Sequence, residues 1–176
     1  RPLTITDQPR TAPLAEGSAW SATAATAEPS VHATALASAW RADALDEHAS
    51  VASFGRFVLE LLAFGAPPEL VRDALAAAAD EVRHAQVCFG VATQLDGQAQ
   101  GPGPLDLADM RLATSLAEAA AAAVREGCVG ETLAAAHAAA ASRQATDPAL
   151  AQALAAIADD EARHAALAWR FVQWAC

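Results

Sequence analysis

The sequence predicts an all-α fold, a four-helix bundle made of two antiparallel helix hairpins joined by one longer crossover loop. Three observations carry that expectation. Alanine dominates, apolar residues recur at spacings of three and four, and the strong β-formers Ile and Tyr are nearly or wholly absent. Gly/Pro punctuation at 65–68, 96–104 and 147–148 cuts the chain into four long periodic segments. One heptapeptide is written twice, Ala-Asp-Glu-Val-Arg-His-Ala at 79–85 and Asp-Asp-Glu-Ala-Arg-His-Ala at 159–165, once in each half. A chain of 176 residues with 54% apolar content has the size and core of a single domain.

Residues 1–30 are rich in Pro, Thr, Ser and Ala without helical periodicity, so they are expected to form an extended N-terminal arm that ends near Glu28-Pro29-Ser30. Trp20 is its natural anchor, and residues 31–176 make the bundle. From about Val31 to Phe64, Trp40, Glu47, Val51, Phe54, Val58 and Leu61 form one stripe of a long first helix. Gly65-Ala66-Pro67-Pro68 stops it, and Pro67 or Pro68 opens the second helix, because a missing N–H costs nothing in a first turn. That helix runs to about Leu95. The Gly/Pro-rich stretch Asp96–Pro104 is the crossover. Roughly Leu107 to Ser142 is expected to be the third helix, disturbed at Gly127 and Gly130, each of which weakens a helix by about 1 kcal/mol relative to Ala. Asp147 caps a fourth helix that begins at Pro148, with the stripe Leu150, Leu154, Ile157, Glu161, His164, Ala168 and Phe171.

Glu81 and His84 are three residues apart, as are Glu161 and His164, and on a helix that spacing aims both side chains of a pair the same way. In bundles that hold two metals, two helices each supply such a Glu-x-x-His and the other two a single Glu. Glu47 precedes the first hairpin turn by about as much as Glu81 and His84 follow it, so folding brings them level. The same test in the second hairpin selects Glu131, about four turns before Asp147. Glu126 is its competitor, about 140° around a regular helix from Glu131, so only one of them aims inward unless a bulge at Gly127 or Gly130 intervenes. Six buried ionisable groups without a cation would cost several kcal/mol each or be forced to protonate.

The set Glu47, Glu81-x-x-His84, Glu131, Glu161-x-x-His164 resembles the ferritin-like di-iron carboxylate superfamily over about residues 31–175. The fuller Asp-Glu-x-Arg-His, at Asp80–His84 and Asp160–His164, is similar to the doubled motif of ribonucleotide reductase small subunits and bacterial multicomponent monooxygenases. Rubrerythrins and bacterioferritins share the simpler pairs. The resemblance implies a ferritin-like bundle, two iron ions held by the six residues, with manganese or a mixed centre on the same ligands, and oxidation of a small-molecule or protein-borne substrate by dioxygen. Alternatives of the same ancestry are a ferroxidase or iron-storage protein and a bundle that a metal only stabilises. Asp80 and Asp160 are expected to accept the outer N–H of the histidines, and Arg83 and Arg163 to fix carboxylates by ion pairs. The chain lacks the four-cysteine module of rubrerythrins, and it has no Tyr to carry a radical.

Around this candidate centre, Ala134, Ala135 and Ala138 leave room for a substrate. Cys88, one turn beyond His84, and Cys128, one turn before Glu131, are expected to be core thiols. Trp40 is assigned to the core, His48 to its edge because it turns about 100° from Glu47, and His32 and His137 to no site.

A net charge of −10, with eleven scattered Arg and no Lys, argues against nucleic acid and anionic membrane as partners. No apolar run approaches the roughly 18 residues of a membrane span. A homo-oligomer is compatible with the sequence. Three cysteines without paired spacing describe neither a disulfide framework nor a zinc knot, which favours the cytoplasm slightly, although an Arg at position 1 leaves room for a removed leader. The absence of Lys, Asn and Tyr fits a GC-rich bacterial genome.

Overall fold

The computed structural model describes residues 2–6, 8–17, 19–21 and 32–176. The expected end of the arm at 28–30, and Val31 as first helical residue, lie outside the described residues. The elements are β1 (Leu3–Ile5), β2 (Gln8–Arg10), β3 (Leu14–Glu16), α1 (Ala33–Ala63), α2 (Pro68–Asp96), β4 (Gln100–Pro102), α3 (Leu116–Ala123), a π-helical segment (Val124–Glu131), α4 (Thr132–Gln144) and α5 (Pro148–Ala175). The protein is an all-α bundle, in which α3, the π segment and α4 make one continuous third helix.

Local chemistry explains the ends. Gly65, at φ +70°, closes α1 in a Schellman motif: its N–H donates to the Leu62 carbonyl and that of Ala66 to the Leu61 carbonyl. Pro68 then starts α2, which ends at Gly97, φ +75°, whose N–H donates to the Thr93 carbonyl at 2.8 Å. Asp147 accepts from the backbone N–H groups of Ala149 and Leu150, and Pro148 stands in the first turn of α5.

Two expectations need correction. The third helix begins at Leu116, not near Leu107, because Ser115 accepts the Glu118 N–H at 3.2 Å while the Glu118 carboxylate takes the Thr114 N–H at 2.8 Å, fixing the start. The fold also holds short strands. β1 pairs with β2 and β3 with β4, both antiparallel, so the crossover receives a strand of the arm.

The chain divides into two compact units, and α1 and α2 contribute to both. One comprises residues 2–53 and 78–110. Its strands lie over the first half of α1: Leu3, Ile5 and Ala49 are buried together against Ala52, Leu105 and Met110. A second cluster joins Ala44, Cys88 and Phe89 to Trp20, Trp40 and Leu45, so Trp20 does anchor the arm. Arg41 binds both Asp96 carboxylate oxygens, at 2.7 and 2.8 Å, and the Gln98 carbonyl at 2.8 Å, with both charged side chains more than nine-tenths buried. This fork-to-fork pair ties the start of α1 to the end of α2.

The other unit comprises residues 54–77 and 111–176. Here the C-terminal half of α1 and the first half of α2 pack with the third helix and α5. Phe57 of α1 meets Phe171 of α5 edge-on, with centroids 4.9 Å apart, and Phe171 is fully buried. Arg56 of α1 holds Glu126 of the π segment at 2.6 Å, and Arg170 of α5 holds Asp73 of α2 at 2.7 Å. Buried Glu60 accepts the Ala113 N–H at 2.9 Å, and burial raises its pKa above the usual carboxylate range.

Candidate metal centre

Each unit buries one triad of two carboxylates and an imidazole. In the first, α1 supplies Glu47 and α2 supplies Glu81 and His84, from which one donor atom each lies within 4.8 Å of the others. The His84 Nδ1 is 3.7 Å from Glu47 Oε2 and 4.0 Å from Glu81 Oε2. Glu81 and His84 are sealed from solvent, whereas the Glu47 side chain keeps 24% of its exposure. In the second unit, Glu131 ends the π segment and meets Glu161 and His164 of α5 under the same 4.8 Å limit, with the His164 Nδ1 3.6 Å from Glu161 Oε2. All three are buried. Nδ1 is thus the inward nitrogen of both histidines.

The local fold explains the aim. Glu161, His164, Ala168 and Phe171 fall on one buried stripe of α5, and His164 is backed by the ring of Phe54, 5.1 Å between centroids. On the third helix the π segment runs from Val124 to Glu131, so the regular-helix angle between Glu126 and Glu131 does not apply. Both acids lie on it. Glu131 joins the triad while Glu126 pairs with Arg56 and stays partly exposed.

Electrostatics differ between the triads. Burial pushes Glu131 up to about 7, and a hydrogen bond with Glu161 and its negative charge add to the effect. Without a cation, a proton on Glu131 is shared toward Glu161. Beside the first triad, burial pushes the Cys88 thiol well up, helped by the charges of Glu47, Asp43 and Glu81, so Cys88 is a protonated core residue. Burial also raises Cys128, in the π segment.

The donor sets fit divalent cations. Ligands on opposite sides of an ion with bonds of about 2.1 Å stand about 4.2 Å apart, so a 4.8 Å spread closes onto an ion with small side-chain movements. Two carboxylates per triad match the charge of one such ion.

The remaining candidates fall as follows. Arg83 reaches Asp80 at 2.6 Å and Arg163 reaches Asp160, each within its own Asp-Glu-x-Arg-His word. These arginines pair with the neighbouring Asp, a correction to the expectation that they fix the Glu carboxylates, because the spacing of three puts Asp and Arg side by side on the outer flank. His48 is half-buried, its ring edge-on to Trp20 with centroids 5.1 Å apart, and burial lowers its pKa. His32 and His137 are exposed. Ala134, Ala135 and Ala138 are half-buried on α4. Sequence reasoning missed Phe54 as the support of His164, Arg56 as the partner of Glu126, and Arg41 as half of a buried pair. Phe54 stood in the α1 stripe, but the two arginines gave no periodic signal.

Compared with models of known families, with characterised proteins and with solved structures, the chain matches none.

Proposed function

We propose that the protein is a di-metal carboxylate protein of ferritin-like topology, in which Glu47, Glu81 and His84 hold one divalent cation and Glu131, Glu161 and His164 hold a second. The observation that carries this reading is the double occurrence of one buried donor set, two carboxylates and an imidazole Nδ1 within 4.8 Å. Iron is the proposed metal, with manganese or a mixed pair on the same ligands. When bound, the ions would supply redox chemistry toward dioxygen for oxidation of a small-molecule or protein-borne substrate.

The chain's own residues have separable tasks. The four carboxylates offset the cation charge, and Glu131 gives up its proton as it becomes a ligand. With Nδ1 turned inward, Nε2–H of each histidine is left to donate outward, and Asp80 and Asp160, steadied by Arg83 and Arg163, are the proposed acceptors. Burial of five of the six ligands excludes water. No helix among the described residues is long and apolar enough to cross a membrane.

The test is anaerobic loading with ferrous iron, followed by elemental analysis and oxygen uptake. The expected result is about two ions per chain, oxygen consumption, and loss of both an ion and the uptake in Glu81→Ala. Metal far below one per chain after reloading would sink the reading. Light scattering separates its variants, since a large closed assembly favours iron storage and a monomer or dimer favours a dedicated oxidase. Two ions without oxygen uptake would leave a metal-stabilised bundle.

A further inference from the structure

Gly127 sits inside the π segment, one turn before Glu131, and faces Ala168 of α5, one turn beyond His164. A Cβ placed on Gly127 would stand 2.4 Å from the Cβ of Ala168. Carbon atoms rest about 3.5 Å apart or more, so a methyl group here would force the third helix and α5 apart by about 1 Å. Ala168 shares the buried stripe that carries Glu161 and His164, and Glu131 reaches those two from the far side of the same contact. The separation at Gly127 therefore sets the span across which this triad closes.

We propose that Gly127 is a positioning residue for the second cation: the missing side chain, more than backbone freedom, lets the π segment seat against Ala168 and delivers Glu131 to Glu161 and His164. This rests on the metal reading above. The conformation supports the steric account, because Gly127 is not among the glycines with positive φ, so its backbone is one that alanine adopts. Gly130 also lies in the segment, but no overlap is recorded for a Cβ there. Other groups that hold ligands without touching a metal change affinity about tenfold to a hundredfold, and a displacement of about 1 Å at a buried ligand falls in that class.

The experiment is a titration of the metal-free full chain with Mn(II) and Co(II), following the electron spin resonance of free manganese and the ligand-field bands of cobalt. Four proteins are compared: wild type, Gly127→Ala, Ala168→Gly and the double variant. Gly127→Ala is expected to weaken one of two bound ions by about tenfold or more and leave the other at wild-type affinity. Ala168→Gly alone lowers Tm, as glycine in a helix does, but keeps both affinities. The double variant, which restores the space, recovers the weakened site to within a few-fold while its Tm stays low, a split that a purely structural role would not produce. If Gly127→Ala fails to fold, the double variant still decides: two ions at near wild-type affinity support the proposal, and a folded double variant lacking one overturns it. Wild type with two ions and Gly127→Ala with the same affinities overturns the positioning role alone. Wild type with no bound cation overturns the metal reading and this proposal with it.

Discussion

Stability of the metal-free protein should fall as pH rises through neutrality, and Glu131 should be the residue responsible. Its carboxyl, ordinarily near 4.5, is raised to about 7 in the fold, first by burial and then by Glu161. A group whose folded pKa is raised contributes its full stabilisation below the unfolded value and loses it as pH climbs through the folded one. The difference between 4.5 and 7, at about 1.4 kcal/mol per pH unit, amounts to about 3 kcal/mol lost between pH 4.5 and 8. Urea unfolding of the chelated protein at intervals from pH 4.5 to 8.5 measures it. Glu131→Gln keeps the shape and removes the titration, so its stability should be flatter by about that amount. Loaded protein should behave the opposite way, since cations bind the deprotonated carboxylate and gain affinity as pH rises. An equal slope in Glu131→Gln and wild type would refute the argument, showing that Glu131 titrates normally.

Two further outcomes test the packing. Asp96→Ala should cost about 3–5 kcal/mol in urea unfolding, because it strands the Arg41 guanidinium in a buried place, while Arg41→Met with Asp96→Leu should cost clearly less. Phe171→Ala removes a fully buried ring from between Phe57 and Trp174 and should cost about 3–5 kcal/mol by thermal or denaturant unfolding.

What was legible in the sequence was what has a local cause. Gly65, Pro68, Asp147 and Pro148 carry their backbone chemistry with them, and the helix ends follow within a residue or two. Glu81 with His84, and Glu161 with His164, are set on one face by the helical period alone, and Glu47 and Glu131 follow from counting outward from the turns. What could not be read is non-local. Three-residue strands leave no period, and β3 finds β4 more than eighty residues away. Arg41 and Asp96 meet only because the hairpin closes. The start of the third helix was readable and passed over: Ser115 followed by Glu118 is a capping signal, and the apolar residues at 105–112 hid it. Glycines at 127 and 130 marked the irregular turn without telling its kind, since a π turn is settled by what packs against it, here Ala168.

The irregular turn also bears on how this chain tolerates change in length. A π turn holds about one residue more than the α-helix around it. Thr132 already lends its hydroxyl to the Cys128 carbonyl at 2.7 Å, as expected where the regular ladder is interrupted. Loss of one residue between Val124 and Glu131 would let the strand of hydrogen bonds run straight through and the helix would remain a good one. Everything after the deletion would nevertheless turn by about 100° relative to what precedes it, so Arg56 and His164 could not both keep the acid they face. In an ordinary surface helix such a loss is a shift of register that loops absorb. In this one it is a change of which carboxylate looks inward, and the segment is therefore the place where descendants of this sequence have least freedom to gain or lose a codon.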